Sequence, residues 1–428
     1  MKLKRVVKWK VALPQVLLLV LSGVLGFVVA MFFVNPTLMS WFDSDYWNAM
    51  SRFDESLRLA HARHVDEDKA SFDALAEKAI GGMIESLDRH SSYYPPVQYQ
   101  AFQDNTYRRY VGIGVMIRKV DKGVLLTKIF PSGPAEKAGL EVGEFILEVE
   151  GISLQGWELD KVSAKIKGER KTLVNLRVLS HDGEERNVRV RRDKIEISSI
   201  EQSSVDENGT GYLHLIQFTD RTGQEIRDAL TNLQENGMKR LVLDLRDNSG
   251  GLLTAAVEVA DLFLDKGLLV VSIKGREIED QRKMSSTSSQ AYACPLVILL
   301  NEGSASASEI VAGALAVHGR ADLVGETSYG KGSVQTIFPL SDESGLRLTT
   351  AMYYLPDGTT IHEQGIEPDH FVPCSEDNET KLRVQRYGNR DLNQTEFSEL
   401  FGFSPIPDLQ KLKAMDLLLK EAEASEEK

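Results

Sequence analysis

The pattern of apolar and polar positions changes its period several times along the chain, and each change predicts a different kind of element. Apolar side chains first recur three and four residues apart in a stretch that ends near Ser91. The members of this stripe are Phe72, Leu75, Ala79, Ile80, Met83, Ile84 and Leu87. We therefore predict an amphipathic helix there, which cannot continue through the prolines at 95 and 96.

The apolar period shortens in the next segment, from Tyr110 to about Arg192. Short runs rich in β-branched and apolar residues alternate there with glycine turns, a texture typical of β-strands. The runs read VGIGVMI, GVLLTKIF, EFILEVEG and TLVNLRVLS. We expect them to form a compact β domain of about 85–95 residues.

Strand-like and helix-like runs then alternate, which predicts a second domain of α/β class. The expected strands are GYLHLIQF, LVLDL and PLVILL, and the expected helices are Thr222 to Glu235, Leu252 to Leu264 and a third that ends at His318. A last helix after Asp408 carries an apolar face, which suits it either to cap the core or to join subunits. That face consists of Leu409, Leu412, Met415, Leu418 and Leu419.

One apolar run, Val11 to Val34, has no charge, and its 24 residues are enough for a helix of about 36 Å. Five basic residues precede it and Asp43 and Asp45 follow it, so the positive-inside rule places the N-terminus in the cytoplasm. A cleaved signal peptide is the alternative, but the run ends in MFFVNP and lacks a small-residue cleavage site. We therefore expect an uncleaved transmembrane anchor, with everything after residue 35 outside the cytoplasm.

Composition and charge exclude several classes of protein. The 428 residues, 42% apolar and 26% charged, suit a globular protein of two or three domains. The net charge is −13, and because the first ten residues contribute +5, the rest of the chain carries −18, which argues against a nucleic-acid partner. Two cysteines, Cys294 and Cys374, and eight scattered histidines provide neither a disulfide scaffold nor a metal-ligand pattern.

Two predicted corners of the α/β domain carry unusual residues. The sequence DNSGG, residues 247–251, follows a strand, and its adjacent glycines can turn backbone N–H groups toward an anion or a developing oxyanion. An ordinary tight turn is the alternative. At the second corner Ser306 and Glu309 have the spacing of a helix capping box, but a serine at a helix N-terminus is also suited to act as a nucleophile. The spacing leaves both roles open.

A third corner, GETSYGKGSVQ from Gly325 to Gln335, raises the question of what Lys331 does. The stretch fits the phosphate-binding pattern GxxxxGK, yet Gly332 occupies the position where Ser or Thr should hold magnesium. A strand-like run, SVQTIFPL, also follows where a helix should begin, so nucleotide binding is rejected. A lysine between two glycines is either a solvated loop residue or, if burial lowers its pKa, a general base.

Several collinear motifs together resemble the C-terminal processing proteases, which are tail-specific serine peptidases with a Ser/Lys dyad. The motifs are AIGGMIESLDRHSSYY (79–94), LDLRDNSGG, SASASE, GETSYGKGSVQ and LTTAMYYLPDGTTIHEQGIEPD (348–369). The resemblance implies that Ser306 is the nucleophile, Lys331 the general base and Gln335 the side chain that positions the lysine. It also implies that no metal or nucleotide cofactor is required. The implied oxyanion-hole residues are Ala307 with either Gly250 or Gly251.

The β domain carries a further resemblance, to PDZ domains. The sequence VGIGV, residues 111–115, resembles the carboxylate-binding loop of those domains, and PSGPAEKAGLEVGEFILEVEG, residues 131–151, resembles the helix, turn and strand that follow it. The implied peptide-binding residues are Gly112, Ile113, Gly114 and Val115. A peptide would add as a strand to the sheet edge while the loop amides receive its carboxylate. A simple hairpin with a glycine bulge is the alternative.

These expectations describe a serine endopeptidase anchored in the bacterial inner membrane, facing the periplasm or the cell exterior, that recognises protein tails through a PDZ domain. The fold class is an α/β core of the Clp protease/crotonase type with an inserted β-rich PDZ domain. The expected segments are a cytoplasmic tail and anchor (1–40), a helical region (41–98), the PDZ domain (99–195), the peptidase core (196–375) and a helical tail (376–428). Protein or peptide substrates are the expected partners, and self-association or an adaptor protein is compatible with this organisation.

Two rival functions use the same fold. A catalytically silent, membrane-tethered PDZ adaptor is the main alternative, although an inactive relative would be expected to have lost at least one of Ser306, Lys331 and Gln335. Acyl-CoA chemistry is the other, but the outward topology opposes it because CoA is cytoplasmic.

Overall fold

The computed structural model describes residues 43–426 apart from 107–108, 121–122, 131, 181, 277–281, 286–291 and 388–392. The transmembrane anchor expected at Val11 to Val34 lies outside the described residues. Within the described part of the chain, no helix combines the length and the apolar character needed to cross a membrane. The chain divides into two compact units, and the boundary falls between Leu87 and Asp88.

The first unit contains two capped helices, α1 (Ser44–Arg63) and α2 (Phe72–Glu85). The Asp43 carboxylate accepts hydrogen bonds from the first amides of α1, and the Ser71 hydroxyl does the same for α2. The helix predicted from the apolar stripe is therefore confirmed, and it ends at Glu85, somewhat before the predicted end near Ser91.

The second unit begins with β1 (Ser92–Tyr94) and α3 (Pro96–Thr106) and continues into the β domain. The elements of that domain are β2 (Arg109–Gly112), β3 (Val115–Val120), β4 (Gly123–Ile129), α4 (Pro134–Lys137), β5 (Phe145–Val149), β6 (Ile152–Ser153), α5 (Leu159–Ile166), β7 (Leu173–Leu179), β8 (Glu185–Arg191) and β9 (Asp193–Glu196). An antiparallel sheet in the order β3-β4-β5-β7-β8, with β6 paired to β5, encloses a separate apolar core. The predicted β domain is confirmed.

The α/β domain follows the predicted alternation of strands and helices. Its elements are β10 (Ile200–Val205), β11 (Thr210–Leu215), α6 (Thr222–Glu235), β12 (Arg240–Asp244), α7 (Leu253–Asp261), β13 (Leu269–Gly275), β14 (Arg282–Ser285), β15 (Leu296–Leu300), α8 (Ala307–Val317), β16 (Asp322–Gly325), β17 (Ser333–Pro339), β18 (Gly345–Tyr354), β19 (His370–Phe371), α9 (Glu376–Tyr387), α10 (Gln394–Phe401) and α11 (Leu409–Glu426). The main sheet has the order β10-β11-β12-β15-β16-β19. Every pair of neighbouring strands from β11 to β19 is parallel. A second, antiparallel sheet contains β1, β18, β13 and β14, with β17 paired to β18.

The central strands β12 and β15 have apolar middles because both faces of the sheet are covered. In β12, Leu241 and Leu243 point into the larger core with helices α6, α7 and α8, and Val242 points to the opposite face. The C-terminal helix α11 covers that opposite face with Ala414 and Leu418.

The apolar face predicted for the C-terminal helix is only partly correct. Helix α11 caps the core, which is one of the two roles predicted for it, and Leu418 is fully buried. Leu409 and Leu412, however, are 59% and 53% exposed. The helix presents Ala414 to the sheet in their place, because a small side chain lets the helix backbone approach the strands closely.

A buried ion cluster fastens α11 to the sheet. Arg246, which has no exposed surface, pairs with Asp244 at the end of β12 and with Asp408 just before α11. Asp244 also accepts a hydrogen bond from the Tyr212 hydroxyl at 2.6 Å. The Arg246 guanidinium and the neighbouring donors hold the pKa of the Asp244 carboxyl far below its usual value, although burial alone would raise it.

Candidate active site

The three corners singled out in the sequence meet at one edge of the main sheet. They follow β12, β15 and β16, which are adjacent and parallel, so their carboxyl ends lie side by side. Ligands of open α/β sheets bind in the crevice outside the carboxyl ends of the strands. The topology alone therefore brings the DNSGG, SASASE and GKGSVQ segments together.

The first two corners are joined by hydrogen bonds from the serines that flank Ser306. The Ser304 hydroxyl donates to the Leu245 carbonyl and the Ser308 hydroxyl to the Asn248 carbonyl, both at 2.8 Å. The Asn248 carbonyl also accepts the Ala305 N–H. Ser304 and Ser308 are fully buried, whereas Ser306 lines a cleft. Ser304 and Ser308 thus hold the two corners together, whereas the middle serine, Ser306, faces the cleft.

Ser306 occupies a strained turn directly before α8. Its φ of 55° lies in the left-handed region, which costs a non-glycine residue about 1–3 kcal/mol. Its hydroxyl oxygen lies 2.7 Å from the hydroxyl oxygen of Tyr353 and is directed into the cleft. Part of the predicted capping box is also present, since the Glu309 carboxylate accepts the Ser306 N–H at 2.7 Å. A helix cap and a hydroxyl that faces the cleft therefore coexist at this residue.

The same Glu309 carboxylate also holds the third corner. Its Oε2 atom accepts the Lys331 N–H at 2.9 Å in addition to the Ser306 N–H. Its Oε1 atom accepts the Gly330 N–H at 2.7 Å and the Ser328 hydroxyl at 2.6 Å. Glu309 has no exposed surface, so one buried carboxylate fixes the backbone of both Ser306 and Lys331.

Lys331 lines the same cleft of about 290 Å³ as Ser306. Burial lowers the pKa of its amine, the positive charge of Arg347 lowers it further, and Glu309 opposes both effects. No hydrogen bond joins Lys331 Nζ to Ser306 Oγ in this arrangement, in which the serine hydroxyl is paired with Tyr353. The lysine amine therefore has a lowered pKa and makes no hydrogen bond to the serine oxygen.

The glycine corner contributes backbone amides to the cleft. A Cβ at Gly250 would lie 2.9 Å from both the Ala307 nitrogen and the Ser306 Cβ, so only glycine fits there. The Gly250 N–H donates to the Asn248 side chain at 2.9 Å. The N–H groups of Gly251 and Ala307 have no acceptor among the described residues; Gly251 lines the cleft, and Ala307 directly follows Ser306 at the first position of α8. They are the donors available to a bound oxyanion.

Gln335 lines the cleft but makes no hydrogen bond to the lysine. A bulge separates it from Val334, and its side-chain amide donates to the hydroxyls of Ser333 at 2.9 Å and Thr349 at 3.4 Å. The structure thus brings Ser306, Lys331 and Gln335 to one cleft and joins none of the three side chains to another by a hydrogen bond.

Two residues of the site were missed by sequence reasoning, Tyr353 and Arg347. Both come from β18 and line the cleft. A register shift of β18 against β17 lies between them, so the alternation of side chains along the strand does not run unbroken from one to the other. The sequence therefore contains no local signal that both side chains line one cleft.

The predicted peptide-binding loop lies at the mouth of a groove of about 370 Å³ in the β domain. Ile113, Gly114 and Val115 line it, whereas Gly112 ends β2 beside it. The groove is lined by residues of β3 and of the end of α5. Lys128 in this groove pairs with Glu201 of β10 at 2.9 Å, so the groove borders the α/β domain.

No group of three or more metal-ligating side chains occurs in the described part of the chain. The cleft itself contains a strained serine at a helix N-terminus, uncommitted backbone amides and a lysine with a lowered pKa. This arrangement can perform nucleophilic attack on an acyl carbon.

Comparisons with known proteins give the same result for both domains. A model of peptidase family S41 matches residues 209–372 and a PDZ domain model matches residues 127–180. The chain is 36% identical to the carboxy-terminal-processing protease of Bartonella bacilliformis, over 77% of this chain and 76% of that protein. It is 35% identical to a probable CtpA-like serine protease of Staphylococcus aureus, over 80% and 68% of the two chains. The solved photosystem II D1 C-terminal processing protease is 30% identical, over 76% of this chain and 95% of that one, with a TM-score of 0.43.

Replacement of Glu309 by glutamine should destabilise the protein strongly. A glutamine amide turns two of the acceptor lone pairs into donors that face N–H groups, so we expect a loss of about 3 kcal/mol in the free energy of unfolding. Glu302→Gln in the same corner is the matched control, because Glu302 is exposed, and its effect should stay within about 0.5 kcal/mol. Urea denaturation measures both, and equal stability of the two variants would contradict the central role of Glu309.

Proposed function

Because the chain belongs to peptidase family S41 and is a carboxy-terminal-processing serine protease with a PDZ domain, we propose that Ser306 and Lys331 form its catalytic dyad. The observation that carries this proposal is their common cleft, in which a single buried carboxylate holds both backbones. The lowered pKa of Lys331 supports its role as the base.

The reaction begins when Ser306 Oγ attacks the carbonyl carbon of the scissile peptide bond and Lys331 takes the hydroxyl proton. The amide groups of Ala307 and Gly251 donate to the oxyanion, and Gly251 is preferred to Gly250 because its N–H is not committed to a side chain. Lys331 then returns the proton to the leaving amine. Gln335 positions the lysine only after its side chain shifts toward Lys331, and it lies in the same cleft from which such a shift is possible.

Substrates are proposed to enter by their C-terminal tails. The groove of the PDZ domain has room for an extended peptide, and the Gly114 turn at its mouth has a φ of 78° that keeps the loop backbone close to an incoming carboxylate. The tail is held in this way while a more N-terminal bond reaches the cleft. Proteins with accessible, unstructured C-termini are the substrate class.

We also propose that the protease acts outside the cytoplasm, on the outer side of a membrane in which Val11 to Val34 forms a single anchor. The support is the uncharged length of this run and the five basic residues before it. Cell fractionation combined with protease accessibility of intact spheroplasts tests this topology, and a cytoplasmic C-terminal domain would contradict it.

The dyad predicts a specific pattern of inactivation. We expect Ser306→Ala to lower the rate of cleavage of an unstructured protein by at least about 10³-fold, and Lys331→Ala by at least about 10²-fold, with both variants still folded. The matched control is Ser249→Ala, an adjacent cleft serine with no assigned role, which should retain parental activity. If the parent and both dyad variants are equally inert, the silent PDZ adaptor becomes the better reading.

The charge of Arg347 predicts a shift in the pH profile. Lys331 is active as the neutral amine, so activity rises with pH through its lowered pKa. Arg347→Met removes a charge that lowers this pKa, and the rising limb of kcat/KM should therefore move to higher pH. Arg89→Met is the control, since the Arg89 charge acts on His90 instead. An unmoved limb in Arg347→Met would show that Lys331 is not the titrating base.

Tail recognition predicts a requirement for a free carboxylate. Peptides that differ only in a free or an amidated C-terminus should bind the full-length Ser306→Ala protein with Kd values at least about tenfold apart, because the amide lacks the charge that the loop N–H groups receive. Fluorescence anisotropy measures both values. Equal affinity would place tail recognition outside this groove.

A further inference from the structure

One buried hydroxyl beside the nucleophile has no part in the mechanism described so far. Tyr353 is 5% exposed, and its Oη atom lies 2.7 Å from Ser306 Oγ. No other hydrogen bond of this Oη atom occurs among the described residues. An unsatisfied O–H in the interior is costly, so the Ser306 hydroxyl is the group that makes burial of this one tolerable.

The backbone holds Tyr353 in place relative to both catalytic corners. Its N–H donates to the Gly332 carbonyl at 2.9 Å, directly beside Lys331. Its ring packs in the larger core with apolar residues of the main sheet and of α8. The tyrosine thus joins the lysine corner through its backbone and the serine corner through its hydroxyl.

The direction of the hydrogen bond between the two hydroxyls follows from their chemistry. A phenol is a stronger acid than an aliphatic alcohol, so it is the better donor, and the serine oxygen is the better acceptor. Donation by Tyr353 also leaves the Ser306 proton free to be transferred to the lysine. Burial raises the pKa of Tyr353 to about 12, so the phenol keeps its proton at the pH values at which the protease works.

We propose that Tyr353 is a further catalytic residue of this protease, whose hydroxyl donates a hydrogen bond to the Ser306 oxygen and stabilises the negative charge that this oxygen carries during the reaction. The inference rests on the proposed function of Ser306 as the nucleophile. It adds a donor on the serine oxygen itself, a position distinct from the backbone amides that receive the oxyanion.

The hydrogen bond is used in both halves of the reaction. In acylation the Oγ–C bond forms, the carbonyl electron pair moves to the oxyanion and the Ser306 proton goes to neutral Lys331; the C–N bond then breaks and the proton passes to the leaving amine. In deacylation a water molecule attacks the acyl carbon and gives a proton to Lys331. The Oγ–C bond then breaks, and the departing Ser306 oxygen takes that proton from the lysine. Tyr353 keeps its own proton throughout.

The test replaces the tyrosine hydroxyl and nothing else. We expect Tyr353→Phe in the full-length protein to lower kcat at least about tenfold with KM changed less than about twofold. The rate at which a fluorophosphonate labels Ser306 should fall in parallel, because this reagent reports on the nucleophile without using the peptide groove. Tyr354→Phe is the matched control, since the next ring lies under Lys274 and outside the cleft, and it should retain parental values.

The outcomes separate this inference from the proposed function. Parental kcat and labelling rates in Tyr353→Phe, with Ser306→Ala and Lys331→Ala inactive, would overturn the role of Tyr353 and leave the dyad intact. Faster labelling in Tyr353→Phe would also overturn it, because the hydroxyl would then restrain the serine. If none of these variants lost activity or labelling, the dyad itself would be overturned.

A second substitution covers the case in which Tyr353→Phe does not fold. Incorporation of 3-fluorotyrosine at position 353 keeps the ring and the hydroxyl and makes the phenol a stronger acid. We expect kcat to change at least about twofold in this protein, whereas 3-fluorotyrosine at position 354 should have no effect. An unchanged kcat at position 353 would overturn the inference.

Discussion

The whole site depends on one constraint, the requirement that the buried Glu309 carboxylate find enough hydrogen-bond donors. A carboxylate with no exposed surface is costly unless its oxygens are well satisfied, and here four donors from two loops converge on it. Since three of those donors belong to residues 328–331 and the fourth to Ser306, the two loops cannot separate without leaving the carboxylate unpaired. The backbone positions of Ser306 and Lys331 are therefore set by the same bonds that make burial of the charge tolerable.

Ion pairs from the C-terminal segment also hold the loops of the site. Asp247, at a positive φ of 58°, is held by Arg383 and Arg386 of α9, and its N–H is bound by Asn301. The glycine corner is thus fastened from one side by the serine corner and from the other by the chain that follows the core. The ion cluster of Arg246 with Asp244 and Asp408 likewise fastens α11 to the main sheet. The helical tail is consequently part of the support of the site, because its arginines restrain the loop whose amides face the cleft.

The sequence was sufficient for the elements and for the identity of the corners, but not for the contacts between side chains. Helix Thr222 to Glu235 is confirmed at both ends, and the strand predicted from PLVILL is confirmed with a start one residue later, because periodicity and flanking turns are local signals. The meeting of Ser306 and Lys331 in one cleft followed only from family resemblance, since 25 positions separate them in the chain. Tyr353 was missed because its role depends on the pairing of β17 with β18, and the exposure of Leu409 and Leu412 was missed because a helical stripe does not show how closely the helix approaches its sheet.

In the mechanism proposed for Ser306 and Lys331, the positions of the two side chains determine what substrate binding must accomplish. The Ser306 hydroxyl is paired with Tyr353 while the Lys331 amine makes no hydrogen bond to it, so proton transfer needs a movement of the lysine side chain. That movement is confined to the flexible stem of the side chain, because the lysine backbone is already fixed by Glu309. Catalytic hydrogen bonds commonly tighten only when substrate excludes water. A peptide that fills the cleft would also desolvate the amine further and favour its neutral form, so the step that positions the base also activates it.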